Sequence, residues 1–187
     1  MSTPLLAATP ARWMDSAGEW QDPFQTTNSK ALVFIFVKTD CPISNRYAPE
    51  IRRLHEKYAP RGARFWLVHA DPDESLTNIL QHSKEYQYPC GALRDPEHRL
   101  VQLCGVRVTP EAAVFTSGHR LVYHGRIDDR FPALGQQRAA PTRHDLAEAL
   151  EAVLAGKAPE HASAPGIGCT IAPLTSAPSS TGSAKER

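Results

Sequence analysis

The longest uninterrupted apolar stretch of the chain runs from Ala31 to Val37. Seven apolar residues in a row are typical of a strand buried on both faces, so we expect a central strand here. A second strand is predicted over residues 64–70, which are rich in aromatic and apolar residues. After each strand, apolar residues recur every three or four positions. This predicts a helix that begins at Pro42 and kinks at Pro49, and a second helix over residues 75–86.

The following part of the chain predicts a β-hairpin and a closing helix. Residues 112–115 and 120–124 have strand composition and are separated by a turn that contains glycine. Thr142 and Asp145 have the spacing of a capping box, and Gly156 is expected to end the helix that follows. The order strand, helix, strand, helix, hairpin, helix predicts an α/β fold with a central mixed parallel and antiparallel sheet flanked by helices.

The composition changes after Gly156, because alanine, serine, proline, glycine and threonine dominate the remaining residues. Such a segment is typical of a flexible tail. Two isoleucines flank a cysteine within residues 167–171, and these residues could dock on the domain. We therefore expect a flexible N-terminus over residues 1–12, one domain over residues 13–156, and a tail over residues 157–187 that carries Cys169.

Charge and hydropathy exclude two classes of partner. The chain has 21 Lys and Arg against 20 Asp and Glu, a net charge of +1, and so lacks the basic excess typical of nucleic-acid binding. No apolar run approaches the ~20 residues of a membrane span. The N-terminus lacks the basic residues and apolar length of a signal peptide, so we expect a cytoplasmic protein, or a periplasmic one if the chain is a trimmed form.

Cys41 is the first candidate for chemistry. It stands between the end of the predicted central strand and Pro42, the first residue of a predicted helix. Functional sites of α/β sheets lie at the carboxyl ends of their strands. The free N–H groups and dipole of a helix N-terminus stabilise a thiolate, which is the nucleophilic form of cysteine. The sequence therefore predicts that Cys41 is a reactive nucleophile.

Three features of the chain resemble a thioredoxin-like redoxin domain of the peroxiredoxin or AhpC/TSA-like superfamily. They are the strand that precedes Thr39-Asp40-Cys41-Pro42-Ile43-Ser44, the proline at position 49, and Val108-Thr109-Pro110 before the hairpin. The resemblance covers about residues 13 to 155. Residues 40–50, 68–74 and 125–130 further resemble a group of bacterial redoxin-domain proteins. The resemblance implies a thioredoxin-like fold, a redox-active cysteine and an antioxidant activity.

The resemblance also assigns a place to Thr109 and Pro110. In this superfamily the peptide bond before the corresponding proline is cis, and the residue before it lies close to the active cysteine. The resemblance therefore implies that the Thr109 backbone faces Cys41, where it could pair with an extended substrate.

Two departures from the family pattern change the expected chemistry. Ser44 stands where a thioredoxin has its second cysteine, so no disulfide can form within the motif, although the hydroxyl could hydrogen-bond the Cys41 thiolate. Lys38 and Phe34 stand where a peroxiredoxin has a threonine and a proline. These two residues weigh against a peroxidase activity.

The sequence leaves the redox partner of Cys41 open. Cys90 and Cys104 lie among apolar residues and are expected to be part of the core. Cys169 stands between glycine and threonine in the tail, where packing does not explain it. A flexible tail could bring it to Cys41 at low entropic cost, as resolving thiol or as co-ligand, or Cys169 could be an inert tail residue.

The acidic clusters are expected to have structural roles. Asp71, Asp73 and the following glutamate precede a predicted helix and are typical of an N-terminal cap. Asp128 and Asp129 are expected to pair with Arg126 or with Arg46, which would contribute little at the surface.

The favoured hypothesis is a thiol-dependent oxidoreductase. In it Cys41 attacks a small-molecule peroxide or a protein disulfide, Thr109 and Pro110 position the substrate, and Cys169 or an external thiol reductant completes the cycle. No cofactor and no metal are expected. One alternative is a thioredoxin-like Cu(I)-binding or chaperone module that uses Cys41 and Cys169, because soft thiolates favour that ion. Another is a non-catalytic domain that binds an extended segment beside Thr109.

Overall fold

The computed structural model of the protein describes residues 12–25 and 28–174. The predicted flexible N-terminus lies outside these residues except for Arg12, and so does the part of the predicted tail beyond Leu174. Among the described residues, no helix has the length and apolar character needed to cross a membrane.

The described chain contains ten strands and five α-helices. The strands are β1 (Trp13–Met14), β2 (Trp20–Gln21), β3 (Ala31–Val37), β4 (Ala63–His69), β5 (Gly91–Arg94), β6 (Val108–Thr109), β7 (Glu111–Thr116), β8 (Leu121–Gly125), β9 (Ser163–Ala164) and β10 (Cys169–Thr170). The helices are α1 (Pro42–Arg46), α2 (Ala48–Tyr58), α3 (Leu76–Glu85), α4 (Arg99–Cys104) and α5 (Asp145–Leu154), with a short 3₁₀ turn at Ala59–Arg61.

Six strands form the central sheet, in the order β5-β4-β3-β7-β8-β9. β3 pairs in parallel with β4 and antiparallel with β7, and β4 pairs in parallel with β5. The predicted mixed α/β fold is confirmed. All seven residues of β3 are at most 2% exposed, because helices cover both faces of the sheet at this strand.

The side chains of β3 divide the core into two layers. Val33 and Ile35 point to the face covered by α2 and α5. Phe34 and Phe36 point to the opposite face, where Trp13 and α4 cover them. This alternation follows from the two-residue period of a strand. Packing on both faces holds β3 in place, and Cys41 lies just beyond its carboxyl end.

The chain after Cys41 forms two helices where the sequence predicts one kinked helix. The break is at Tyr47, two residues before Pro49. Pro49 has no N–H to donate to the carbonyl of Asn45, so the hydrogen-bond ladder of a continuous helix is interrupted here. Proline is tolerated in the first turn of a helix, so Pro49 fits near the start of α2.

The predicted capping box at the start of α5 is wrong. The helix begins at Asp145 with His144 as its N-cap, and the Thr142 hydroxyl donates instead to Asp129. Arg126 holds Asp145 through a hydrogen bond of 2.7 Å. Gly156 follows the helix with a φ of +73°, which agrees with its predicted role at the helix end.

The acidic residues after β8 have other partners than the sequence suggested. The expectation that they pair with Arg126 or Arg46 is wrong, because Arg126 holds Asp145. Asp129 accepts hydrogen bonds from the backbone of residues 142 and 143 and lies 3.5 Å from Arg138. Asp128 accepts a hydrogen bond from Tyr47. The expectation that the acidic residues 71, 73 and 74 cap α3 is wrong as well. The N-cap of this helix is Ser75, and Asp71 instead accepts a hydrogen bond from the Asp73 N–H within its own turn.

Residues 163–171, called the C-terminal strap below, are more ordered than their composition suggests. β9 pairs in parallel with β8, and β10 pairs antiparallel with β6. The pairing with β8 requires Gly125, because a Cβ at this position would lie 1.9 Å from the carbonyl oxygen of Ala164. Backbone hydrogen bonds hold most of the strap, and they leave little trace in a hydropathy pattern.

The buried position of β3 gives the first prediction. Replacing Ile35, which is fully buried, with alanine should lower the free energy of unfolding by about 2–5 kcal/mol, because it removes packed methyl groups and leaves a cavity. The matched control is Leu103→Ala in α4, where the side chain is 51% exposed and the loss should stay near 0.5 kcal/mol. Urea denaturation followed by circular dichroism measures both. Equal losses would contradict the central position of β3.

Candidate functional site

Cys41 lies where the sequence predicts it, at the carboxyl end of β3 and at the N-cap of α1. Its side chain is fully buried. The backbone of Cys41 is extended, and this turns its sulfur toward the first turn of the helix, where the Ser44 N–H donates to Sγ at 3.5 Å. The N-cap position therefore supplies the sulfur with a backbone donor.

Thr109 faces Cys41 from the other side. The Cys41 thiol donates a hydrogen bond to the carbonyl oxygen of Thr109 at 3.3 Å, across 68 residues of sequence. The peptide bond between Thr109 and Pro110 is cis. These residues form the turn between β6 and β7, next to the carboxyl end of β3.

Cys169 lies beside Cys41, as one of the two alternatives for this residue expects. β10 pairs antiparallel with β6 so that Cys169 is opposite Thr109. The Thr109 hydroxyl donates to the carbonyl oxygen of Cys169 at 3.4 Å. The two side chains are close enough for each thiol to shift the pKa of the other. The strap thus occupies the backbone edge that the resemblance assigned to an extended substrate.

Two glycines allow the strap to lie so close to β6. A Cβ on Gly168 would lie 2.0 Å from the carbonyl oxygen of Thr109, so only glycine fits at this position. The Gly166 N–H donates to the buried carboxylate of Glu111 at 3.0 Å. The Arg107 N–H donates to the other oxygen of the same carboxylate, so Glu111 ties the strap to the segment around β6.

The surroundings of Cys41 favour its thiolate. Burial opposes ionisation, but hydrogen bonds from Cys169, Ser44 and Thr109 outweigh it, so the pKa of the Cys41 thiol is lower than that of an ordinary cysteine. The Ser44 hydroxyl is buried and has no partner while Cys41 is a neutral thiol that donates to Thr109. Ionisation of Cys41 gives this hydroxyl an acceptor.

Cys169 is affected in the opposite direction. Burial and the hydrogen bond with Cys41 together raise the pKa of Cys169 to about 11. The pair therefore consists of one thiol that ionises more readily than an ordinary cysteine and one that ionises less readily. This is the difference expected between an attacking thiol and a thiol that reacts second.

The other two cysteines are unsuited to this chemistry. Cys104 is fully buried in the core beside α4, as the sequence predicts. Cys90 is half-buried and packs against the other core layer. Burial raises the pKa of Cys90 to about 12 and that of Cys104 still further.

The charged residues near the motif pair with one another. Asp40 is next to Cys41 in sequence, but its side chain is exposed and lies 3.2 Å from Lys38. Lys38 also lies 3.5 Å from Asp71. The Asp40 carboxylate is thus paired at the surface, so it does little to oppose thiolate formation at Cys41.

A cavity of about 490 Å³ lies at the carboxyl ends of β3 and β4. Its walls include Lys38 and Asp71 on one side and Thr109 and Thr170 on the other. A volume of this size is typical of a small-molecule site. The strap forms part of its wall, so movement of the strap would change access to both the cavity and Cys41.

The sequence analysis missed the residues that position the strap. Gly168 and Glu111 carry no chemistry that a motif would reveal. The spacing of Gly166 and Gly168 next to a cysteine was the available signal, since glycine is the residue that permits close backbone approach.

Residues 13–125 match the AhpC/TSA family, and the chain belongs to that family. No curated protein sequence matches the chain.

Two solved structures are similar over almost the whole chain. One is an uncharacterized conserved protein from Geobacillus kaustophilus, with 25% identity, a TM-score of 0.78, and coverage of 91% of this chain and 92% of that one. The other is a hypothetical protein from Sinorhizobium meliloti 1021, with 27% identity, a TM-score of 0.73, and coverage of 91% and 95%.

A third structure is a secreted Mycobacterium tuberculosis disulfide oxidoreductase described as homologous to E. coli DsbE. It has 14% identity and a TM-score of 0.54 over 79% of this chain and 96% of that one. This similarity supports the thioredoxin-like fold.

The effect of Cys169 on the pKa of Cys41 gives a second prediction. Replacing Cys169 with alanine removes a donor to the Cys41 sulfur, so the pKa of Cys41 should rise. Thiolate absorbance near 240 nm during a pH titration measures the change, and Cys90 and Cys104 should stay silent at neutral pH. Cys169→Ser is the matched control, since its hydroxyl keeps a donor and should give a smaller rise. An unchanged or lower pKa in the alanine variant would contradict the contact.

The close approach of Gly168 gives a third prediction. Gly168→Ala should displace the strap, because its Cβ would meet the Thr109 carbonyl, and should raise the reactivity of Cys41 toward iodoacetamide as the sulfur becomes accessible. Gly118→Ala is the control, since a Cβ there would have its nearest neighbour at 3.8 Å. Alkylation rates followed by mass spectrometry test this. Equal rates in both variants would contradict the close packing of Gly168 against Thr109.

Proposed function

We propose that the protein is a thiol-dependent oxidoreductase in which Cys41 is the nucleophile and Cys169 is the resolving thiol. The observation that carries this proposal is the position of Cys169, which pairs with Thr109, the residue whose carbonyl accepts a hydrogen bond from Cys41. Membership of the AhpC/TSA family supports a redox role. The opposite pKa shifts of the two thiols support the order in which they react.

With a disulfide substrate, the Cys41 thiolate attacks one sulfur, the S–S bond breaks, and the other sulfur leaves as a thiolate. Cys169 then loses its proton and attacks the Cys41 sulfur of the mixed disulfide. The products are a Cys41–Cys169 disulfide and the second substrate thiol. The substrate gains two electrons, which the two cysteines lose.

With a peroxide substrate, the Cys41 thiolate attacks one oxygen and breaks the O–O bond. Cys41 becomes a sulfenic acid, and the leaving oxygen takes a proton to become an alcohol or water. Cys169 then attacks the sulfenic sulfur and water leaves, which gives the same disulfide. In both routes an external thiol reductant restores the two thiols.

Ser44 and Thr109 have positioning roles in this proposal. The Ser44 N–H and hydroxyl stabilise the Cys41 thiolate in place of the second cysteine of a thioredoxin motif. The Thr109 hydroxyl donates to the Cys169 carbonyl while Cys41 is a neutral thiol, and it can turn to the sulfur once Cys41 ionises. Pro110 follows in the turn before β7. These contacts hold both sulfurs against one strand edge.

A disulfide is favoured over a peroxide as the substrate. Where a peroxiredoxin has a threonine hydroxyl, this chain has Lys38, which is paired with Asp40 and Asp71. The site therefore lacks that hydroxyl three residues before the cysteine. Cys41 is also fully buried, so a substrate must reach it as the strap moves.

Peptide mapping tests the proposed pair. After treatment with one equivalent of a small disulfide, non-reducing digestion of the wild type should give a peptide that joins Cys41 and Cys169. Cys169→Ser should accumulate a mixed disulfide on Cys41, and Cys41→Ser should give neither product. Cys90 and Cys104 serve as internal controls and should stay reduced. A wild type that forms no Cys41–Cys169 bridge would overturn the role of Cys169, and an inert Cys41 would overturn the redox proposal.

A Cu(I)-binding module is the second candidate, because the same contact places two soft sulfur donors together. Cu(I) retained at one equivalent against a strong chelator, and lost in both Cys41→Ser and Cys169→Ser, would favour this function. Loss of the metal to the chelator by the wild type would exclude it.

A further inference from the structure

Three potential metal ligands converge on the sheet face that carries α2 and α5. Glu50 lies in the first turn of α2, Asp128 follows β8, and His144 is the N-cap of α5. One potential ligand atom from each residue lies within 4.8 Å of those of the other two.

Asp128 has a carboxylate oxygen without a partner. The residue is only 2% exposed. Its Oδ1 accepts hydrogen bonds from the Tyr47 hydroxyl at 2.5 Å and from the Arg130 N–H at 2.9 Å. Its Oδ2 is buried and accepts no hydrogen bond. Buried carboxylate oxygens are normally satisfied, so an orphaned one within a group of potential ligands points to a missing cation.

The nearby arginines do not satisfy the free oxygen of Asp128. Arg53 pairs with both oxygens of Glu50, at 2.6 and 2.8 Å, and Arg126 is held by Asp145. Arg130 gives Asp128 only its backbone N–H, at Oδ1. A bound cation would supply the partner that Oδ2 lacks.

We propose that Glu50, Asp128 and His144 bind one divalent first-row metal ion. Two carboxylate oxygens and one imidazole nitrogen form a mixed oxygen and nitrogen donor set, which suits Mn²⁺ or Zn²⁺. Such an ion would join α2, the segment after β8 and the start of α5. Its first effect would be stabilisation, because an ion that binds only the folded chain raises the free energy of unfolding.

Mn²⁺ is the probe for this site, because it prefers oxygen and nitrogen ligands and does not seek the thiols of Cys41 and Cys169. Titration of the full chain, followed by the loss of the free Mn²⁺ electron paramagnetic resonance signal, should show one bound ion. His144→Gln should weaken binding at least about tenfold. His144 is exposed, so this variant should fold like the wild type.

His161→Gln is the matched control, since His161 is also an exposed histidine and lies outside the group. It should bind Mn²⁺ like the wild type. Asp128→Asn, checked by circular dichroism for a folded chain, should lose binding and the rise in melting temperature that Mn²⁺ gives the wild type. A wild type that binds no Mn²⁺, or that binds it no more tightly than His144→Gln, would overturn the proposal. Neither result bears on the thiol reaction, which is tested separately.

Discussion

The candidate thiol site depends on the antiparallel pairing between β6 and β10. This short pairing places Cys169 opposite Thr109, and Thr109 faces Cys41. The two cysteines are 128 positions apart in sequence, and this pairing brings them to the same place in the fold. Gly168 makes the pairing possible because its missing Cβ leaves room for the Thr109 carbonyl.

Contacts elsewhere in the fold hold the pairing of β6 and β10 in position. The buried strand β3 ends at the site, and packing on both of its faces sets the position of Cys41. Glu111 at the start of β7 accepts hydrogen bonds from the strap and from the segment around β6. β3 and the start of α1 determine the surroundings of Cys41, and the strap determines those of Cys169. The pKa values of the two thiols therefore shift in opposite directions although the residues are neighbours.

The hydrophobic pattern of the sequence was sufficient to predict the central strand of the domain. The apolar run at Ala31–Val37 predicted β3 with its observed bounds, since a strand buried on both faces leaves a continuous apolar signal. The position of Cys41 at a strand end and before Pro42 was likewise readable. The capping box at Thr142 was wrong because the hydroxyl found a competing acceptor in Asp129, which no local pattern reveals.

The strap and the group around Asp128 could not be predicted from the hydrophobic pattern. Residues 163–171 are held mainly by backbone hydrogen bonds, and their small side chains have the composition of a flexible tail. Glu50, Asp128 and His144 are distant in sequence, and only the packing of α2 and α5 on the sheet brings them together. Both features depend on tertiary contacts that a single sequence does not show.

The most direct test of the central claim is a redox titration of the full chain in glutathione buffers of defined ratio. After acid quenching and alkylation, intact mass and peptide analysis give the fraction of Cys41 bridged to Cys169 at each ratio. The paired thiols predict one two-electron transition between a dithiol and an intramolecular disulfide. Glutathione bound to Cys41 or to Cys169 at every oxidising ratio, with no bridge between them, would contradict the account.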